Sequence, residues 1–246
     1  MRDVLPLCSN FCRGRSRADV HGDTQAVRAT TYRDNSMGQP IRVISSMATR
    51  QLLSSLASQF QQASGHAVEI ESVGGVDAAK RVQAGEVFDV VILAADAIDR
   101  LTAAGRVREG SRVDLVKSGV AVAVRAGAAQ PAIATEEDVK QAVLAATTLS
   151  YSTGPSGVQL ARLFERWGID AAIQDRIVQA PPGVPVGSLV AKGEVELGFQ
   201  QLSELLNVQG IAIVGPLPPE IQIVTRFSAG ITPEASQPEA VRAWLD

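Results

Sequence analysis

One unit recurs along this chain and limits its possible folds more than any other feature: a short apolar run, a turn of small neutral residues, then apolar residues at helical spacing. In its first occurrence residues 41–44 read as a strand, 45–49 as a polar turn and 50–63 as a helix. It recurs with a strand at 68–72, the turn Val73-Gly74-Gly75-Val76 and a helix at 77–83 that stops at Gly85. The third copy has a strand at 88–93, the turn Ala94-Ala95-Asp96 and a helix at 97–103 stopped by Gly105. Apolar strands alternating with amphipathic helices need a parallel or mixed sheet covered on both faces, which makes the fold class α/β.

Beyond a strand at 118–124, a Gly/Ala/Pro-rich stretch to Ile133 marks a crossing between two lobes. Thr135 with Asp138 forms a capping-box pattern that opens a helix over 135–146. An apolar, β-like run at 143–149 then feeds the turn Ser150-Tyr151-Ser152-Thr153-Gly154-Pro155-Ser156-Gly157, which opens into a helix over 157–167. The first turn of a helix leaves N–H groups unpaired and carries partial positive charge, so Ser152, Thr153, Ser156 and Gly157 can cradle a small anion. The alternative is structural: Ser156 caps the helix and Gly154-Pro155 makes the turn. An amphipathic segment follows at 170–177, then a proline-rich loop at 181–185 and a helix at 186–191. Next come a strand at 195–199, the turn Gln200-Gln201, a helix at 203–206 and a strand at 211–214. After a proline turn at 216–219, the stretch 221–229 reads as a strand returning to the first lobe, and a short helix follows Pro238.

Composition removes several function classes. The 246 residues are 46% hydrophobic, enough for ordinary cores, yet no apolar run approaches the roughly 20 residues of a bilayer span. A net charge of −3 with 4% aromatic residues argues against nucleic acid. Both cysteines, Cys8 and Cys12, precede every periodic element, and the two histidines, His21 and His66, cannot furnish a His-rich metal site or a Ser-His-Asp triad. No metal and no cofactor is therefore expected. Gly154-Pro155-Ser156-Gly157-Val158 breaks the Gly-x-Ser-x-Gly hydrolase pattern at its last position. Residues 1–36 lack periodicity and lack the apolar core of a signal peptide; they read as a disordered leader, or as upstream sequence if translation starts at Met37.

Several stretches together resemble the type II periplasmic solute-binding proteins, and within them the molybdate-binding-protein-like branch. They are Ile41-Arg42-Val43-Ile44-Ser45-Ser46, the run Lys80 to Gly85 leading into Phe88-Asp89-Val90-Val91-Ile92-Leu93-Ala94-Ala95-Asp96, and Gly193-Glu194-Val195-Glu196-Leu197-Gly198-Phe199. The C-terminal half is similar to a sub-branch that includes aconitate isomerase, through Tyr151-Ser152, Gly154 to Val158, Gly198 to Leu205 and Val214 to Pro218. The resemblance implies two α/β lobes with mixed sheets flanked by helices and a ligand cleft between them. Lobe 1 is then 37–121 with 222–246, and lobe 2 is 122–221. It also implies that a motif like Ala243-Trp244-Leu245 is followed by a further helix.

Ligands of open α/β sheets lie beyond the carboxyl ends of the strands, so the neutral turns are the expected site. The candidate ligand-binding residues are Ser45, Ser46, Gly74, Gly75, Ala95, Ser152, Ser156, Gly157, Val186 and Gln200. Ala48, Gly74-Gly75 and Gln200 stand where molybdate binders place hydroxyls, which weakens the case for a tetrahedral oxyanion and favours an organic carboxylate. The expected function is capture of a small anion for an ABC-type importer by a monomeric periplasmic protein that closes as a hinge, with the absent signal peptide leaving the cytoplasm open. The alternative is an isomerase shifting a proton on an unsaturated tricarboxylate. That chemistry needs a base and carboxylate clamps: Asp96 and Glu204 are candidate bases, Arg50 and Arg125 candidate clamps, and each also fits a solvated helix or surface position.

Overall fold

The computed structural model describes residues 39–181 and 183–246; the leader read over 1–36, with Cys8, Cys12 and His21, lies outside the described residues. The first apolar run forms β1 (Ile41–Ser46), which pairs in parallel with β2 (Val68–Val73) on one side and β3 (Val90–Ala94) on the other. Every residue of β3 is buried, because helices cover both faces of the sheet at this point. Those helices are α1 (Arg50–Ser64), α2 (Gly75–Gln83) and α3 (Ala95–Ala103). Gly65, in the left-handed region at φ 75°, ends α1.

The second half begins with the long strand β4 (Val113–Arg125), followed by α4 (Glu136–Ala145), β5 (Leu149–Tyr151), α5 (Pro155–Arg166) and α6 (Asp170–Ile173). Then come α7 (Val186–Lys192), β6 (Leu197–Gln201), α8 (Leu202–Leu205), β7 (Ile211–Pro216), β8 (Val224–Ile231) and α9 (Pro238–Leu245). The strand order is β2-β1-β3-β8-β4-β6-β5, with β7 also on β4. Strand β4 serves two sheets in succession. Residues from Val113 to Gly119 run antiparallel to β8, and from Val120 onward the same strand runs antiparallel to β6 and β7. Strand β8 lies antiparallel to β3, so the first sheet is mixed and is completed by the end of the chain.

Two cores result. Helices α2 and α3 pack Val82, Ile98 and Leu101 against Ile44, Val91 and Leu93. In the second half Phe164 and Phe199, each 1% exposed, meet edge to face with centroids 6.1 Å apart, and Tyr151 meets Phe164 in the same way at 5.8 Å. The buried Asp89 accepts hydrogen bonds from Arg42 N at 2.8 Å, Ser236 N at 2.7 Å and Ser236 Oγ at 3.0 Å, tying the segment before α9 to the first sheet.

Several boundaries differ from those read in the sequence. The β-like run 143–149 is split: the Thr135–Asp138 capping box starts a helix that keeps Val139 and Val143 on one buried face to Ala145, and the strand spans three residues. Helix α5 starts at Pro155, two residues early, since proline fits the first helical position. Gln200 and Gln201 belong to β6 and not to a turn, held in register with Ala121 and Val120. The returning strand is Val224–Ile231, because 219–221 form a short 3-10 turn first.

Candidate functional site

The carboxyl ends of β1, β2, β3, β5 and β6 all lead into one cavity of about 940 Å³, where Ser46, Gly74, Ala94, Ser152 and Gln201 form part of the wall. The residues just before α2, α3 and α5, namely Gly74, Ala94 and Gly154, line it, and none of these helices has a side-chain cap. Three helices of 9, 9 and 12 residues therefore bring first turns without side-chain acceptors to the same space. Their partial positive charges favour an anion there. Among the described residues the charged groups on the wall are Asp77, Lys80, Arg100 and Glu204.

The backbone comes close wherever glycine stands. A Cβ built on Gly157 would lie 1.5 Å from the carbonyl oxygen of Ser152, so the turn folds back onto α5 only if residue 157 has no side chain. That fold-back sets Ser152 Oγ 3.2 Å from Ser156 Oγ and puts both serines on the wall. Across the cavity, Ser46 Oγ accepts from Ala48 N at 3.4 Å.

Glu204 is the one carboxylate on the β6–α8 side of the wall. Its Oε2 accepts from Gln200 Nε2 at 2.7 Å, and Gln200 Oε1 accepts from Gly187 N at 3.0 Å. Burial pushes the Glu204 carboxyl up to about 7, against the smaller lowering effect of the Gln200 N–H. The neighbouring Gln201 donates to Thr225 Oγ1 at 2.7 Å, and Ser203 N donates to Ser118 Oγ at 3.4 Å. The turn that carries Glu204 is thus tied to β8 and β4 as well as to its own strand.

Of the residues proposed from sequence, Ser46, Gly74, Gly75, Ser152, Ser156, Val186 and Gln200 come together on the cavity wall. Ser45, Ala95 and Gly157 do not. Ser45 is fully buried and shares a 2.8 Å hydrogen bond with Ser72 Oγ, because alternation along β1 turns it to the face opposite Ser46. Ala95 is displaced from the wall by Ala94, and Gly157 lies beneath the Ser152 carbonyl. Arg50 and Arg125 lie outside the wall, as does Asp96, whose side chain is 58% exposed and paired with Arg100 at 2.8 Å. Sequence reasoning missed Lys80, Arg100 and Thr225. A signal for Lys80 exists in the spacing Asp77, Lys80, Gln83, Ala84, a single helical face that borders the cavity along its length. Among the described residues no cluster of His, Cys, Asp or Glu could hold a metal, and no helix is long and apolar enough to cross a membrane.

Three comparisons bear on this arrangement. The profile of a family described as bacterial extracellular solute-binding protein matches residues 41–246. A protein from Pseudomonas sp named aconitate isomerase is 39% identical over 211 residues, covering 83% of this chain and 80% of that protein. In fold, the chain is similar to the periplasmic molybdate-binding protein of Azotobacter vinelandii, with TM-score 0.69 and 22% identity over 83% of this chain and 90% of the other. It is also similar to the sulfate-binding protein SubI from Mycobacterium tuberculosis H37Rv, with TM-score 0.64 and 15% identity over 85% and 80% of the two chains.

Proposed function

This chain belongs to the bacterial extracellular solute-binding protein family, and from that premise we propose that it binds an unsaturated tricarboxylate of the aconitate type and moves a proton on it through Glu204. The observation that carries this reading is Glu204 itself: a half-buried carboxyl on the wall of an anion-attracting cavity, raised to about 7. A base with that value is half ionised at neutral pH, where it can both accept and return a proton. The ionised carboxylate takes a proton from the saturated carbon beside the double bond. The electrons of that C–H bond form the new double bond, and the old one shifts its electrons toward the far carbon, which takes the proton back from Glu204. Negative charge developed on the way spreads into an adjacent substrate carboxylate. The uncapped first turns of α2, α3 and α5, with Lys80 and Arg100, supply the donors and positive charge that hold such carboxylates.

An organic anion suits the wall better than a tetrahedral oxyanion. Gly74, Gly75 and Ala94 offer backbone N–H groups but no hydroxyl, and the Ser45 hydroxyl is engaged by Ser72, so on that side Ser46 is left as the hydroxyl for a tetrahedral dianion, fewer than such an ion needs when desolvated.

A second reading keeps the capture and omits the chemistry: the protein binds a small carboxylate for an ABC-type permease and works in the periplasm as a monomer. Family membership favours it. In either reading we take the lobes as residues 37–121 with 222–246 and residues 122–221, closing about the passage of β4 between the sheets and the chain that enters β8.

Thermal unfolding with cis- and trans-aconitate, citrate, molybdate and sulfate tests the capture, because a ligand bound by the native state raises the midpoint. We expect the aconitates to raise it most; stabilisation by molybdate alone would sink the carboxylate reading. Proton NMR of each aconitate with the protein then separates the two readings. Appearance of the other isomer supports catalysis, and tight binding without conversion leaves capture.

A further inference from the structure

The side chain of Gln200 is held at both ends, which gives it a role other than ligand contact. It is 3% exposed, and its Oε1 accepts from the backbone N–H of Gly187. A backbone N–H can only donate, so the amide cannot rotate to exchange its oxygen and nitrogen. Its Nε2 is therefore committed to Glu204 Oε2 at 2.7 Å. The other Glu204 oxygen, Oε1, has no hydrogen-bond partner among the described residues. We propose that Gln200 is a positioning residue that selects the working oxygen of Glu204: Oε2 is held as an acceptor, and the transferable proton resides on Oε1.

The fixing is mechanical as well as electrostatic. A Cβ on Gly187 would lie 3.1 Å from Leu205 Cδ2 and 3.2 Å from Val208 Cγ2, so the start of α7 is packed directly against the end of α8. The donor that orients Gln200 and the helix that carries Glu204 are held at one separation. No charged side chain competes for the carboxyl. The turn 47–49 and β6, which pack on α8, carry no charged residue, and the charged members of β4, Asp114, Lys117 and Arg125, and of α7, Lys192, lie off the cavity wall. The remaining charges on the wall, Asp77, Lys80 and Arg100, come from α2 and α3. The balance at Glu204 is burial against one N–H, so Gln200 is the side chain that sets it.

The catalytic consequence rests on the proposed role of Glu204, but the hold of the Gln200 N–H on the carboxyl, from which the oxygen assignment follows, can be read independently of activity. The protein is labelled with 13C at glutamate Cδ, and the Glu204 signal is identified by its loss in Glu204→Gln. Its titration is followed in the wild type, in Gln200→Leu and in Gln200→Glu. In Gln200→Leu the donor is gone and the midpoint rises by about one pH unit, the equivalent of one hydrogen bond to a charged group. Gln200→Glu keeps the acceptor for Gly187 but faces Glu204 with a second carboxyl, so the pair shares a proton and one midpoint rises further. If isomerisation is present, its pH–rate profile moves with these midpoints. A Glu204 midpoint that stands still in both variants overturns the inference, whatever the activity. Midpoints that move as stated, in a protein that converts neither aconitate, uphold the inference and remove the isomerase reading.

Discussion

On the wall contributed by α2 and α3 the cavity offers uncapped helix starts, glycine and alanine, and the cations Lys80 and Arg100, whereas on the wall contributed by β6 and α8 the side-chain amides of Gln200 and Gln201 donate to the protein itself. The first wall has donors to give to a ligand. The second has already spent its donors on fixing one carboxyl. The contrast separates holding an anion from acting on it, since a group that must move a proton needs a defined position before the substrate arrives.

The largest effect that would break this division is at Glu204. Glu204→Gln is expected to slow proton transfer by about two to four orders of magnitude while aconitate still raises the melting midpoint. Equal loss of binding and conversion would show that the carboxyl holds the ligand and does not act on it. Gly157→Ala comes next. Its Cβ cannot coexist with the Ser152 carbonyl 1.5 Å away, so the 152–157 turn must open at a cost of about 2–4 kcal/mol, and ligand stabilisation should vanish with it. Chemical denaturation with and without aconitate checks both parts.

The two walls should also differ in their response to pH. The Glu204 carboxyl is raised from 4.5 to about 7, so the proton it binds on folding stabilises the native state. That contribution is fully present below about 4.5 and is lost as pH rises through 7. Glu204→Gln should therefore be more stable than the wild type above pH 7, by roughly 2–3 kcal/mol at most, with the gap closing in acid. Melting both proteins across this range measures it, and a constant gap would mean that the carboxyl is ordinary. Smallest is the effect on the donor wall: Lys80→Ala or Arg100→Ala should each weaken aconitate binding by about tenfold or less, and less again in high salt, with little change in stability. Titration calorimetry at two salt concentrations reads this, and unchanged affinity in the double variant would remove the cations from the site.

Much of the fold could be read from periodicity, since strand and helix each announce their buried face. Ser152 and Ser156 could be named for the same reason, as hydroxyls between an apolar strand and an amphipathic helix, but the sequence left a cap at Ser156 equally open, and it took the structure to show that Gly154 precedes α5 and no side chain caps it. Ser45 and Ser46 show the limit. Both end β1, but alternation lets only one face the cavity, and which one depends on a register that β2 fixes through Ser72. Lys80 and Arg100 were hidden because they meet only when α2 and α3 pack on one sheet. Glu204 could be named as a candidate from sequence, but its burial depends on β6, α7 and the bonds of Gln200, which join residues 187, 200 and 204 in space.

The sharing of β4 between two sheets carries a consequence for how the chain is made. Sheet partners of the far part of β4 come from residues 149–216, so that half can assemble from a continuous stretch of nascent chain. The near part waits for β8, and β3 waits with it, because Val90 to Ala94 pair with residues 227–231. Pairing across more than a hundred residues is slow to nucleate. The strands behind Glu204 can thus pair early, with the Gln201–Thr225 bond added when β8 arrives, and the wall that bears the uncapped helix starts is completed when almost the whole chain has been synthesised, making the cavity one of the last features to exist.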